Sequence, residues 1–274
     1  MTESAAGVHF ISGLPRSGST LLCALLRQNP LFLAAVTSPV SELFISLLRQ
    51  MGAGSEFATF FSDARRARIL TGLMRTYHAP APGQVVFDTS RLWTRHLALI
   101  DRLFPGARVI CCVRDIPSIM DSVERMLHRN PLQTSAIFEH MPGLSIATRT
   151  VSLMEQSKGF IGGPWSGLRE AWFGPFAGKL IIIRYESLAQ RPGETIDALY
   201  SALGAVPFPH QFDHVEHDEP EYDAKLGMPG LHAVRPRVSL IPRPSILPPE
   251  LITKYAGASF WKETNGNPGN ATII

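Results

Sequence analysis

Apolar residues fall into short runs separated by stretches of helical spacing. VHFIS (8–12) reads as a strand that runs into a glycine-containing turn and then the helical stretch TLLCALLRQ. VVFD (85–88) is a second strand, followed by LWTRHLALIDRLF with helical periodicity. A PGA turn leads into the strand ARVICCV (107–113) and the helix IPSIMDSVERMLH. KLIIIRYE (179–186) is a further strand, with a helix around ETIDALYSALG. Strands apolar on both faces, alternating with helices, predict a parallel sheet covered on both sides. The expected architecture is α/β, a three-layer α/β/α sandwich with ligands at the carboxyl ends of the strands.

Two regions depart from this rhythm. Residues 30–80 carry helical patterns (SELFISLLRQM, then ARRARILTGLMRTYH) and read as a helical cap inserted over the first strand's carboxyl end. Residues 205–249 are rich in proline and histidine and nearly aperiodic. With no internal repeat, a single domain over 1–274 is the simplest organisation.

Composition narrows this picture. A hydrophobic fraction of 45% and a charged fraction of 18% are ordinary for a folded domain. A net charge of +3 is too small to argue for nucleic acid. Cys23, Cys111 and Cys112 lie among aliphatic residues with neither disulfide nor metal spacing. The start MTESAAG has no leader pattern, and no apolar run is long enough to cross a bilayer. The expectation is a cytoplasmic protein without membrane or nucleic-acid partners.

The turn after the first strand, SGLPRSGST, holds glycines at 13 and 18, spaced as in a phosphate-binding P-loop. Glycines let consecutive N–H groups point inward, and the following helix adds its positive end. The lysine of nucleotide triphosphatases is absent, however. Ser19 takes its place, Arg16 supplies charge from mid-loop, and no acidic metal partner is evident. Such a P-loop-like cradle suits an anion other than a magnesium-bound triphosphate.

A second candidate anion site follows the third strand, in CVRDIPSIMDSVERM. Arg114 ends the strand, Asp115 stands where a helix cap belongs, and Ser118 and Ser122 share a helix face. Arg114 and Ser122 together can bracket a phosphate. Alternatively, Arg114 forms a salt bridge and the serines face solvent.

Taken together, PRSGST and VRD with Ser122 resemble the two cofactor signatures of sulfotransferases that use 3′-phosphoadenosine 5′-phosphosulfate (PAPS). LFPGARVICCVRD, IRYESLAQRP and the FW near 260 are similar to stretches of tyrosylprotein and carbohydrate sulfotransferases. The resemblance covers roughly 8–28, 85–126 and 179–204. It implies that Pro15, Arg16, Ser17, Gly18, Ser19 and Thr20 hold the 5′-phosphosulfate, and that Arg114 and Ser122 hold the 3′-phosphate. It also implies transfer of a sulfuryl group to a hydroxyl acceptor without a metal, leaving adenosine 3′,5′-bisphosphate (PAP).

Transfer requires donors for the leaving phosphate, a task for Arg16, and a base for the acceptor proton. The resemblance points to Glu42, in TSPVSELF, as that base; alternatively Glu42 caps its own helix or pairs with Arg49. The lysine that relatives carry after the second strand is missing. Arg91, oriented by Asp88, is the nearest cation and a candidate catalytic residue. Tyr185 falls where relatives place a tyrosine near the cofactor, or is an ordinary buried aromatic. His232, Arg235 and Arg237, in GMPGLHAVRPRV, occupy the place of a cofactor-covering loop, or are solvated. His210, His214 and His217 invite a metal, but the glutamate of a zinc helix is absent. The run HVEHDEPEYD reads as a solvated loop at the acceptor mouth. A sugar, a small metabolite or a peptidyl tyrosine all fit as acceptor. A P-loop-type kinase of a nucleotide or small molecule and a non-catalytic nucleotide-binding protein are the competing functions.

Overall fold

The computed structural model describes residues 7–141, 143–263 and 267–274; residues 1–6, on which the expectation of no leader rests, lie outside that range. Its strands are β1 (Val8–Gly13), β2 (Phe32–Ala34), β3 (Val85–Thr89), β4 (Val109–Val113), β5 (Leu180–Arg184) and β6 (Thr272–Ile273). They form one sheet in the order β2-β3-β1-β4-β5-β6, and every pairing is parallel. The chain leaves β1 toward the β2 edge and leaves β4 toward the β5 side. Between β1 and β4 the connections therefore diverge, which opens a crevice at the carboxyl ends of these two strands.

The predicted two-faced burial is found. Phe10, Val109, Cys111, Val113, Leu180 and Ile182 point into one apolar cluster. Their neighbours Ile11, Ile110, Cys112, Ile181 and Ile183 point into the other. This period of two follows from the pleat, and burying each such side chain contributes roughly 1.5–3 kcal/mol.

The helices complete the outer layers. α1 (Ser19–Leu26), α2 (Val40–Gln50), α3 (Asp63–His78) and α4 (Leu97–Leu103) follow the first half of the sheet. α5 (Ile116–Arg129), α6 (Ile146–Leu153) and α7 (Gly162–Phe173) come before β5; α8 (Tyr185–Gln190), α9 (Pro192–Leu203), α10 (Pro220–Lys225) and α11 (Pro249–Ala256) come after it. α1, α8 and α9 pack on the Ile110 face. α2 to α7 pack on the Cys111 face, joined by Trp261 near the C-terminus.

Local chemistry explains several boundaries. Ser62 accepts from the Arg65 N–H to start α3, and Ser145 does the same with Thr148 for α6. Gly204, at φ 64°, ends α9 in the left-handed conformation. The stretch 92–104 is not one helix: Trp93–His96 is a 3-10 turn that leads into α4. The turn holds Trp93 where its indole N–H donates to Asp88 at 2.6 Å.

Residues 30–80 contain β2, α2 and α3, with Val40, Phe44, Leu70 and Met74 in the main apolar cluster. Within 205–249, α10 is joined by an antiparallel bridge between His217 and Val234. The run at 214–223 is only partly solvated: Val215 is 2% exposed and Asp223 0%. No helix among the described residues is long and apolar enough to cross a membrane.

Candidate active site

The loop after β1 depends on three residues in the left-handed region: Gly13 (φ 96°), Arg16 (φ 56°) and Gly18 (φ 93°). A Cβ on Gly13 would lie 2.3 Å from the Cys112 carbonyl oxygen, so only glycine permits β1 and β4 to meet there. Gly18 caps α1, and a Cβ on it would approach Tyr185 Cδ2 at 3.1 Å. Arg16 is the non-glycine residue in this turn with positive φ, a strained conformation of the kind that clusters at binding sites.

That conformation carries Arg16 across to the second anion signature. Its Nε donates to Ser122 Oγ at 3.2 Å, and its Nη1 donates to the Leu231 carbonyl. Arg114 Nη1 donates to the Arg16 carbonyl at 3.4 Å. The Arg114 guanidinium lies over the Tyr185 ring, 4.3 Å from its centroid, while its buried Nε has no partner among the described residues. The two signatures thus meet side by side rather than at opposite ends of the crevice.

One cavity collects Arg16, Gly18, Ser19, Thr20, Arg91, Arg114, Tyr185, His232, Arg235 and Arg237. Ser122 joins it through its bond to Arg16. Pro15 and Ser17 are buried behind the loop, where the Ser17 hydroxyl donates to the Pro15 carbonyl at 3.2 Å. Arg235 and Arg237 are exposed at the rim; Arg237 pairs with Asp213 at 3.1 Å.

A second cavity adjoins the first and is lined by Glu42, Phe160, Tyr222 and the hydroxyl residues Ser12, Ser38, Ser41, Thr89 and Ser90. Ser12 Oγ is buried with no hydrogen-bond partner among the described residues. Ser19, Arg91, Leu231 and His232 line both cavities and form the border between them. Glu42 lies on the second cavity alone and is exposed, and its carboxylate has no hydrogen bond or ion pair among the described residues.

Cations dominate the border, although Tyr185 and Asp223 act in the opposite direction on Arg16. Burial first, then the nearby Arg114, pulls the Arg16 guanidinium down to about 10. Burial first, then Arg16, pulls Arg91 down to about 10 as well. Neither these two nor Arg114 has a carboxylate partner among the described residues; Arg91 instead rests over Phe160, 5.4 Å from the ring centroid. Desolvated cations without a counter-charge are costly, and a bound anion removes the cost.

Two sequence expectations need correcting. Asp88 does not orient Arg91. It is 0% exposed and accepts from Ser38 at 2.5 Å, His78 Nε2 at 2.7 Å and Trp93 Nε1 at 2.6 Å, which leaves it no role at the border. Asp115 occupies the cap position of α5 but does not cap it: its carboxylate takes Lys262 at 2.7 Å instead. The histidines at 210, 214 and 217 also separate. His210 meets the Tyr200 hydroxyl at 3.0 Å and His217 meets Arg27 at 3.1 Å, while His214 is exposed. No group of potential metal ligands is found among the described residues.

One feature of the site escapes any motif. Asp223 accepts from the His232 backbone N–H at 2.9 Å and from its Nδ1 at 2.5 Å. No local pattern announces this pair, because the loop that closes it contains no regular element.

A sequence profile of the sulfotransferase family matches residues 9–209. The nodulation protein NoeE of Sinorhizobium fredii (strain NBRC 101917 / NGR234) is 24% identical over 234 residues, 77% of this chain and 53% of that protein. The chain thus spans about half the length of this relative. A sulfotransferase from Alicyclobacillus acidocaldarius has a TM-score of 0.47 at 16% identity, over 81% of this chain and 90% of its own. STF9, a sulfotransferase of Mycobacterium avium, has a TM-score of 0.49 at 12% identity, over 98% of this chain and 79% of its own. The profile match runs from β1 past α9 and includes the phosphate loop, Arg114 and Ser122; this chain belongs to the sulfotransferase family.

Proposed function

We propose that this chain moves a sulfuryl group from PAPS to a hydroxyl of an acceptor seated in the second cavity. The observation that carries this reading is the set of three guanidiniums, Arg16, Arg91 and Arg114, that face one cavity without a carboxylate partner among the described residues. A donor bearing both a 3′-phosphate and a 5′-phosphosulfate supplies the missing negative charge at two points.

In this reading Arg114, Ser122 and Arg16 hold the 3′-phosphate side, with Tyr185 behind Arg114. The amides of Gly18, Ser19 and Thr20 hold the 5′-phosphate. Arg91 stands at the border, where the bond to the leaving phosphate breaks and charge develops on its oxygen, and stabilises that charge. The acceptor oxygen forms its bond to sulfur from the opposite side and gives up its proton to a base on the acceptor wall. Glu42, the carboxylate expected for that task, lines only the acceptor cavity, whereas His232 lines both. None of these roles calls for a metal ion.

Thermal-shift titration tests the reading. PAP raises the melting temperature in the presence of EDTA, following ligand linkage, and ATP with Mg²⁺ does so far less. Stabilisation by ATP–Mg²⁺ with none by PAP overturns it in favour of a kinase. Stabilisation by PAP without sulfate transfer to any alcohol or phenol in a broad panel leaves a binding protein.

A further inference from the structure

α10 and the loop after it build a buried contact between a carboxylate and a histidine. Gly227, at φ 64°, reverses the chain where a Cβ would lie 2.2 Å from the Thr134 carbonyl oxygen. The Met228 N–H then returns to the Asp223 carbonyl at 3.0 Å, and the Leu231 N–H to the Met228 carbonyl at 3.0 Å. This turn brings His232 back over the Asp223 side chain. Asp223 is 0% exposed and His232 8%, and both carboxylate oxygens are committed to the histidine, one to its backbone N–H and one to its ring.

We infer that His232, held by Asp223, is the general base that takes the acceptor's proton. This rests on the sulfuryl-transfer reading and replaces only its base. Asp223 is acceptor-only when ionised, so Nδ1 of the neutral ring carries the proton and Nε2 carries the lone pair. Nε2 makes no hydrogen bond among the described residues, and the ring lines both cavities. Of the residues shared by the two cavities, Arg91 stays protonated, Leu231 is inert, and the Ser19 hydroxyl is a poor base. His232 alone is built to accept a proton there.

Glu42 lacks both properties: it lines one cavity, and no hydrogen bond or ion pair among the described residues orients its carboxylate. In the step, the acceptor oxygen bonds to sulfur and the bond from sulfur to the 5′-phosphate oxygen breaks. The proton passes to Nε2, and the buried carboxylate stabilises the imidazolium so formed. Asp223 is a positioning residue in this step, since it touches only the histidine.

The charged and titratable groups around the ring are few. Asp223 and Tyr222 come from α10, with the Tyr222 ring centroid 5.5 Å away. Arg16 and Arg91 share its cavity wall, and His217 interacts with it from the segment before α10.

The test uses the full chain and three readouts. Water serves as acceptor, so that the release of PAP and sulfate from PAPS measures turnover without an identified substrate. His232→Gln lowers this turnover about 10²-fold, removes its decline on the acid side, and keeps the PAP thermal shift of the wild type. Asp223→Asn lowers turnover and also keeps the PAP thermal shift. Side-chain ¹⁵N spectra of the wild type, which need no variant and no acceptor, show a neutral His232 with its proton on Nδ1. Turnover by His232→Gln close to wild type, the 10²-fold loss falling on Glu42→Gln instead, or a proton on Nε2 in the neutral ring each overturns the assignment. A wild type that PAP fails to stabilise defeats the underlying sulfuryl-transfer reading, which is a separate result.

Discussion

Arg16 Nε donates to Ser122 Oγ at 3.2 Å, a contact between residues 106 positions apart. The same guanidinium donates to the Leu231 carbonyl, so one side chain ties the phosphate loop, α5 and the loop after α10 together. No carboxylate takes part. These hydrogen bonds go to neutral acceptors, with Asp223 acting on the guanidinium only through space, and such a cation can take an anion that binds more strongly than a hydroxyl or a carbonyl.

Arg114 gives the most direct check on how that anion lies. The proposed function gives Arg114, whose buried Nε has no hydrogen-bond partner among the described residues, to the 3′-phosphate. Arg114→Ala weakens PAP binding roughly 10- to 100-fold, the worth of about 1.5–3 kcal/mol for hydrogen bonds to a charged group. Adenosine 5′-phosphate, which lacks the 3′ group, loses about threefold at most. Titration calorimetry with both ligands decides; equal losses mean that Arg114 serves the other phosphate.

Gly13 has no tolerable substitute. With φ at 96° and a Cβ position 2.3 Å from the Cys112 carbonyl oxygen, Gly13→Ala forces β1 and β4 apart. The expected loss exceeds about 3 kcal/mol, a drop in Tm of about 10 °C. A melting curve within 2–3 °C of wild type, on the order of 1 kcal/mol, shows that the strands adjust more easily than this packing implies.

Asp88 should behave as a pillar of the fold with no part in donor binding. Removing its carboxylate in Asp88→Ala leaves His78 Nε2 and Trp93 Nε1 buried without an acceptor. The expected cost is about 3–5 kcal/mol, read as a lower urea midpoint. PAP affinity of the folded variant stays within about threefold, since Arg91 does not depend on this residue. A large affinity loss at full stability restores the link between Asp88 and Arg91.

His9 makes stability pH-dependent. Burial first, then Arg108, lowers its pKa to about 4, and its Nδ1 accepts the Arg108 N–H at 3.1 Å, which a protonated ring cannot do. The unfolded chain protonates this histidine near its ordinary value of about 6.5, while the folded chain stays neutral down to about 4. Between those values the unfolded state binds more protons, so stability falls as pH drops through that window. Urea midpoints measured from pH 7 to 4.5 show the decline, and His9→Gln flattens it. An unchanged slope in the variant assigns the decline to other groups.

The fold was legible where apolar residues occupy both faces of a strand. VHFIS, VVFD, VICCV and LIIIR sit in β1, β3, β4 and β5, because an unbroken apolar run has few places to go other than a covered parallel sheet. β2 and β6, at three and two residues, are too short to carry a period. α7 was not read because its first residues are glycines. Those glycines are used for close approach: a Cβ on Gly167 would come 2.7 Å from Arg95 Cγ.

The site divides along the same line. The turn around Arg16 and Ser19 could be read because a tight turn into a helix demands glycines at set intervals, here Gly13 and Gly18, and this constraint is local to a dozen residues; Arg114 and Ser122 stood out only by their place at the end of a strand and on the helix after it. The sequence alone suggests the wrong partner for Asp88 and a solvated charge for Asp223, at the end of an acidic run. Charge pairing depends on which side chains arrive from elsewhere. His78 and Trp93 reach Asp88, and His232 reaches Asp223 only after Gly227 turns the chain. Short-range backbone chemistry thus wrote the anion cradle into the order of residues. Which cations were left without a paired carboxylate, and which histidines were given one, depended on the three-dimensional packing, because a buried charge is set by neighbours brought in from elsewhere along the chain.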